Sequence, residues 1–141
     1  MTMLKDEDKE QVQKQLEELA NPVQLVMFTQ TVDCESCAET EALVEEVASL
    51  SDKVEAVIYD FVTDKKQADD YLVDKIPAIA VVGEKEYGVR FYGIPMGYEF
   101  ASLIEAIKNV SSGEPELSDT TKEALAEIDE PVHLQVFVTP T

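Results

Sequence analysis

The sequence predicts an α/β fold, a four-stranded mixed sheet with helices on its faces. Three observations lead there. Short β-rich apolar runs alternate with segments of helical periodicity, the first two runs are joined through a helix, and the last two are joined by a tight turn. A strand–helix–strand crossover pairs its strands in parallel and a hairpin pairs them antiparallel, so the two together give a mixed sheet.

In chain order, residues 5–20 carry Val12, Leu16, Leu19 and Ala20 at spacings of three and four among charged residues, which predicts an amphipathic N-terminal helix. Asn21-Pro22 stops it. Residues 23–29 (VQLVMFT) form a short apolar run, as expected of a strand buried on both faces. Cys34 and Cys37 then open a helical pattern with Ala42, Leu43, Val47, Ala48 and Leu50 in register, ending near Ser51-Asp52. Residues 54–61 (VEAVIYDF) predict a second strand, and residues 65–73 a short helix with Ala68, Tyr71 and Leu72 on one side. Ile76-Pro77 introduces a strand over 78–82 (AIAVV), Gly83 to Glu86 supply a hairpin turn, and 87–92 (YGVRFY) form the return strand. After Gly93 to Gly97, the spacing of Phe100, Leu103, Ile104 and Ile107 predicts a last helix to about Val110.

Ser111 to Pro115 is small and polar, a boundary signal, and it divides the chain into residues 1–112 and 113–141. Beyond it, residues 118–129 predict a helix, Glu130-Pro131 a stop, and residues 132–138 (VHLQVFV) a strand. This repeats the start of the chain: Asn21-Pro22-Val23 to Phe28 aligns with Glu130-Pro131-Val132 to Phe137 at an offset of 109 residues, 131 minus 22. The expectation is one complete unit followed by the opening helix and strand of a second, truncated before its own cysteine motif.

Composition bounds the function. A chain of 141 residues that is 45% hydrophobic buries one core with some residues to spare. Thirty acidic against eleven basic residues give a formal charge of -19, which repels phosphate backbones and anionic membranes, so nucleic acid and membrane partners are not expected. Residues 1–10 contain four acids and no apolar run, and no stretch reaches the ~18 apolar residues of a spanning helix. A cytoplasmic location is the expectation, and there a structural disulfide is rare.

Cys34-Glu35-Ser36-Cys37 carries the chemistry. Two cysteines three positions apart at a helix start lie one turn apart, close enough to bridge. Cys34, at the positive end of the helix dipole, is the expected nucleophile toward a target disulfide, and Cys37, deeper by a turn, the resolving thiol. Asp33, Glu35 and Glu39 crowd negative charge around that sulfur, which disfavours a thiolate and points to a reducing couple. With no second C-x-x-C and His133 the sole histidine, far along the chain, one chain cannot assemble a four-ligand zinc site. Zinc shared between two chains and an inert structural pair stay open as alternatives. The residues alone predict a trans Ile76-Pro77 bond.

The pattern of a strand, C-x-x-C at a helix start, Ile76-Pro77 before a hairpin and Gly93 before the last helix resembles the thioredoxin fold. Phe28, Cys34 to Cys37, Val89-Arg90-Phe91-Tyr92-Gly93-Ile94-Pro95 with Gly97 and Glu99-Phe100, and Val136 to Thr141 resemble the glutaredoxin-like protein disulfide oxidoreductases, which carry two tandem thioredoxin-fold units. The resemblance implies that Pro77 is cis and faces the cysteines, that the Ile76 backbone pairs with an extended substrate segment, and that Gly93 lines the same groove. It also implies protein disulfides or dithiols as substrates, a thioredoxin-reductase-type flavoprotein as electron donor, and no cofactor beyond the Cys34–Cys37 disulfide. The linker Glu35-Ser36 departs from that family's usual polar-aromatic pair. The N-terminal region of the flavoprotein component of alkyl hydroperoxide reductase is similar as well, especially around Gly93 to Phe100, which gives a docking or redox-relay module as the alternative function.

Further residues complete the expectations. Asp60, at the end of the second strand, is a candidate proton acceptor for Cys37, with a strand-end cap as the plainer reading. Tyr87, Phe91 and Tyr92 are expected to pack, and Glu45-Glu46 and Asp69-Asp70 to be solvated surface. Exposed apolar residues 132–138 offer a route to a homodimer.

Overall fold

In a computed structural model, which describes residues 1–139, the chain folds as β-strands interleaved with helices: α1 (Asp6–Leu16), β1 (Val23–Thr29), α2 (Cys37–Ala48), β2 (Val54–Asp60), α3 (Lys65–Asp70), β3 (Ala78–Val82), β4 (Glu86–Tyr92), α4 (Tyr98–Ser112) and α5 (Asp119–Ala126). The strands form one sheet in the order β2-β1-β3-β4. β1 pairs with β2 in parallel, while β3 runs antiparallel to both β1 and β4. The mixed sheet is the one that the connections predicted.

Register fixes which ends meet. Thr29 pairs with Asp60, Phe28 with Ala78, and Ala78 with Tyr92. One end of the sheet therefore gathers the C-terminal ends of β1, β2 and β4 and the start of β3. The opposite end pairs Val23 with Val54 and Gln24 with Val82.

The two faces bury different clusters, because side chains alternate along each strand. Leu25, Met27, Ile79 and Val81 join Val12 and Leu16 of α1, Leu43, Val44 and Val47 of α2, and Leu103, Ile104 and Ile107 of α4 in the larger core. Val26, Phe28, Ala78 and Ala80 point the other way, onto Ala68 of α3 and Val73 just after it. Each fully buried large side chain contributes about 1.5–3 kcal/mol relative to exposure. The Phe28 ring lies 5.6 Å from Tyr59 and 5.8 Å from Tyr71, centroid to centroid.

Polar ties fasten the end remote from β1's C-terminus. The Asn21 amide donates to Ser111 Oγ at 3.0 Å, Ser111 Oγ donates to the Asn21 carbonyl at 2.6 Å, and Asn21 Nδ2 donates to the Ser111 carbonyl at 2.9 Å. Lys53 Nζ donates to the Leu19 carbonyl at 2.5 Å. Across the α2 face, Glu46 is a correction to the solvated-surface expectation. Its side chain is only 12% exposed, pairs with Lys9 at 2.7 Å, and accepts from the Met3 and Leu4 amides at 2.7 and 3.1 Å. Adjacent positions on a helix face apart, so Glu45 does not share that environment.

Two helices end alike but with different residues. α4 closes on Gly113, whose φ of 69° suits a residue without a Cβ. At the end of α3, Leu72 donates to the Asp69 carbonyl at 3.0 Å and Val73 to the Ala68 carbonyl at 2.8 Å, the paired bonds of a Schellman motif. Leu72 holds the left-handed position with φ 56°, at a cost of about 1–2 kcal/mol for an L-residue with a Cβ.

Two other expectations change. Phe91 packs against the larger core, but Tyr87 and Tyr92 are exposed, because β4 is an edge strand with one neighbour. α5 forms where expected, with Ser118 Oγ accepting from the Thr121 amide at 3.2 Å, yet none of its residues is buried. Residues 132–138 join no sheet, and Val132, Leu134, Val136 and Phe137 are exposed, so the expected strand is absent. A strand exists only through ladder bonds to a partner, and neither edge of this sheet supplies one to that segment.

Candidate active site

Cys34 and Cys37 are joined in a disulfide with their Cα atoms 5.5 Å apart. The chain leaves β1 at Thr29, turns through Asp33 in the left-handed region at φ 56°, and enters α2 at Cys37. Aspartate tolerates that conformation better than most residues do. The helix begins three residues later than the sequence predicted: Cys34 lies in the preceding turn and Cys37 is the first helical residue. Thr40, fully buried, closes the first turn by donating both its amide, at 2.9 Å, and its hydroxyl, at 2.6 Å, to the Ser36 carbonyl. Cys37 is thereby held in the core, while Cys34 is half-buried. One cysteine of the pair is open to solvent and the other is not.

Pro77 opens β3 at the same sheet end, and its bond to Ile76 is cis. The residues alone pointed to trans, and the family resemblance implied the observed isomer. The Pro77 carbonyl accepts from the Gly93 amide at 2.9 Å, so Ile76, Pro77 and Gly93 are brought together where β3 starts and β4 ends. Ile76 and Gly93 are half-buried and Pro77 is buried. Gly93 has φ 81° and open space around the place a Cβ would occupy.

Asp60 is occupied otherwise. Its Oδ1 accepts from the Val62 and Thr63 amides, each at 2.9 Å, and its own amide donates to Asp64 Oδ2 at 2.8 Å. The Thr63 and Val62 amides hold the Asp60 carboxyl below its ordinary range. That is the geometry of a strand-end cap. His133 lies far along the chain in the exposed segment after α5.

Several side chains at this end carried no sequence signal that marked them out: Val32, Val62, Leu72 and Tyr98 are large, apolar and exposed. For Leu72 the helical periodicity misled: it grouped Leu72 with Ala68 and Tyr71 on one side of a helix to residue 73, but α3 ends at Asp70 and Leu72 is exposed. Lys75 pairs with Asp74 at 2.6 Å, and its ammonium lies 4.6 Å from the Tyr92 ring centroid. A groove of about 810 Å³ crosses the opposite end, lined by Pro22, Gln24, Asp52, Val54, Gly83 and Glu84, away from the cysteines. Disulfide exchange needs an accessible sulfur rather than an enclosed cavity. Among the described residues, no cluster of three or more His, Cys, Asp or Glu is placed to hold a metal ion, and no helix is long and apolar enough to cross a membrane.

A four-stranded sheet in this order, a disulfide after β1 with one cysteine open to solvent, and a cis proline at the start of β3 define a thioredoxin-fold protein equipped as a thiol oxidoreductase. Comparison with known proteins agrees. The chain is 30% identical over 141 residues to the alkyl hydroperoxide reductase component AhpF of Staphylococcus epidermidis, an alignment that takes in 99% of this chain and 25% of that protein. It superposes on a protein disulfide oxidoreductase from Aeropyrum pernix with a TM-score of 0.80 and 28% identity, covering 90% of this chain and 56% of that one. On the N-terminal domain of AhpF from Enterococcus faecalis the TM-score is 0.74 with 25% identity, over 86% of this chain and 59% of that one. No family model matches the sequence. These likenesses support a tandem thioredoxin-fold family for the chain, as Cys34–Cys37 and the Val89-to-Pro95 motif implied. The chain spans about a quarter of the length of its curated relative.

Proposed function

We propose that the chain exchanges disulfides with protein substrates through Cys34 and Cys37 and so takes part in cell redox homeostasis. The observation that carries this reading is the asymmetry of the pair, with Cys34 reachable and Cys37 sealed in the first turn of α2. In the reducing direction, the Cys34 thiolate attacks one sulfur of a target disulfide and forms a mixed disulfide, and the other target sulfur leaves as a thiolate that takes up a proton. Cys37, deprotonated, then attacks Cys34 Sγ, the target's remaining sulfur departs as a thiolate, and Cys34–Cys37 is oxidised while the target is reduced by two electrons. The reverse order oxidises a dithiol. Two electrons from a thioredoxin-reductase-type flavoprotein would return the pair to the dithiol. The backbone beside Pro77 would pair with the substrate segment, and Gly93, without a side chain, leaves that approach open. We assign no proton transfer to Asp60, whose carboxylate the turn amides already engage. Residues 113–141 we read as the opening of a second unit, on the strength of the 109-residue repeat.

A relay role has its own support, because the curated relative at 30% identity is a component of alkyl hydroperoxide reductase. In that role the same cysteines would pass electrons between a flavoprotein and a partner, with no free protein substrate. Insulin reduction with dithiothreitol, compared between the chain and Cys34→Ser, tests the exchange reading: equal rates would end it. Reduction of the Cys34–Cys37 disulfide by a flavoprotein and a nicotinamide, with no turnover of insulin, would favour the relay.

A further inference from the structure

The large apolar side chains that the folded unit leaves in solvent are concentrated at the sheet end that bears the disulfide. Val32 (64% exposed) lies between β1 and Cys34, Val62 (64%) in the turn after β2, Leu72 (84%) in the connection leading to Pro77, and Tyr98 (85%) at the first turn of α4, just after Gly93. Tyr92, at the end of β4, is exposed at the same sheet end. Within residues 1–112, only Met1 and Tyr87 are comparable elsewhere.

Leu72 stands apart from the rest. It takes the left-handed position of a helix terminus, where α4 uses Gly113. The Schellman bonds there run from backbone to backbone, and the apolar contact that accompanies the motif, Ala68 with Val73, is buried without it. The fold would keep every one of those interactions with glycine. A strained residue whose side chain packs against nothing in its own domain points to a contact outside it.

The same end is acidic. Asp33 and Glu35 flank Cys34 in the open, and Glu99 lies in the first turn of α4. The lysines nearby are matched by aspartates: Lys65 with Asp69, Lys66 with Asp70, Lys75 with Asp74. The uncompensated charge around the sulfur is negative.

We propose that this end recognises protein segments in which apolar side chains and lysine or arginine flank the disulfide or dithiol, with Leu72 as a specificity-determining contact. The proposal rests on the exchange reading of Cys34–Cys37. Apolar contact at Leu72, Val32 and Tyr98 would release water, and the carboxylates would attract the cations and repel acidic segments.

Steady-state kinetics on three disulfide peptides of equal length tests it, with Leu and Lys, Leu and Glu, or Ser and Lys beside the cysteines, and hydroxyethyl disulfide as a small uncharged control. The Leu–Lys peptide should show a KM about tenfold below that of Leu–Glu at low salt, the gap closing as salt screens the charges. Leu72→Gly should raise KM for the Leu peptides about three- to tenfold while leaving kcat and hydroxyethyl disulfide turnover unchanged. Its Tm should hold or rise, since glycine relieves the left-handed strain. Equal KM values for the three peptides would overturn the proposal, as would a preference for Leu–Glu, a KM unmoved by Leu72→Gly, or a lowered Tm, which would make Leu72 structural. A dimer in sedimentation that Leu72→Gly dissolves would assign the surface to a second copy instead. Failure to turn over hydroxyethyl disulfide would remove the exchange reading and this proposal together, whereas turnover with flat KM values would remove the proposal alone.

Discussion

At Gly83 the fold leaves no room for a single added carbon. The residue sits between β3 and β4, and a Cβ built there would lie 2.8 Å from Val110 Cγ1, 2.8 Å from the Val110 carbonyl oxygen and 3.4 Å from its carbon. The methyl could rotate away, but the carbonyl belongs to the last turn of α4. That turn is held by the bonds between Ser111 and Asn21 and by the Gly113 amide on the Asn109 carbonyl at 2.9 Å. Gly83→Ala must therefore push the hairpin and the helix end apart, an overpacking that costs about 1–3 kcal/mol. For a chain of this size that corresponds to a fall in Tm of about 3–10 °C. Thermal and urea denaturation of both proteins measure it, with a lower urea midpoint at unchanged m-value. Insulin reduction at 25 °C should be unaffected, because Gly83 is at the far end of the hairpin from Pro77 and Gly93. A variant as stable as the parent would refute the close-packing argument.

Glu46→Ala leaves the Met3 and Leu4 amides and the Lys9 ammonium without their acceptor and should destabilise the fold by about 1–3 kcal/mol in urea titrations. Burial alone would raise the Glu46 carboxyl, but the Lys9 hydrogen bond and the Met3 and Leu4 amides outweigh it and hold it below 4.5. A carboxyl lowered by folding stabilises above its unfolded value and loses that contribution as pH falls through the folded one. The gap between wild type and Glu46→Ala should therefore be full at pH 7 and shrink as the pH drops below 4.5, and a gap independent of pH would contradict the assignment. The Cys34–Cys37 couple, with Asp33 and Glu35 beside the outer sulfur, should equilibrate with glutathione or thioredoxin at a potential well below about -120 mV and nearer about -270 mV. With Cys37→Ser, a mixed disulfide should accumulate on Cys34 that mass spectrometry detects, and Cys34→Ser should trap none.

Much of the sheet was legible because its strands obey one rule each. β3 is apolar throughout, β1 is apolar but for Gln24 and Thr29, and both are central, while β4 carries exposed residues and lies at an edge. The C-x-x-C could be placed because its spacing brings two sulfurs within one turn. Where sequence reasoning failed, the missing information was tertiary. Residues 132–138 have the composition of a strand but no ladder partner, and composition cannot supply one. Glu46 looked like its neighbour Glu45 until the N-terminal segment crossed α2 and gave it three partners. The Ile76-Pro77 isomer and the left-handed Leu72 depend on where the chain must go next, which no local pattern encodes.

The distribution of these exceptions across the sheet bears on the proposed exchange. At the end away from the cysteines the chain is tied down: Asn21 to Ser111, Lys53 to the Leu19 carbonyl, Gly83 against Val110. At the cysteine end lie Asp33 and Leu72, the two non-glycine residues with positive φ among the described residues, together with the exposed Val32, Val62 and Tyr98. Sequence rules broken together at one place, and kept elsewhere, are what a functional surface on a firm scaffold should show. Exchange asks little motion of that scaffold, since Cys34 need only change sulfur partners while Cys37 stays fixed in the first turn of α2. Substitutions should therefore separate by position, those at the tied end shifting Tm with rates intact, and those at the cysteine end shifting KM with Tm intact.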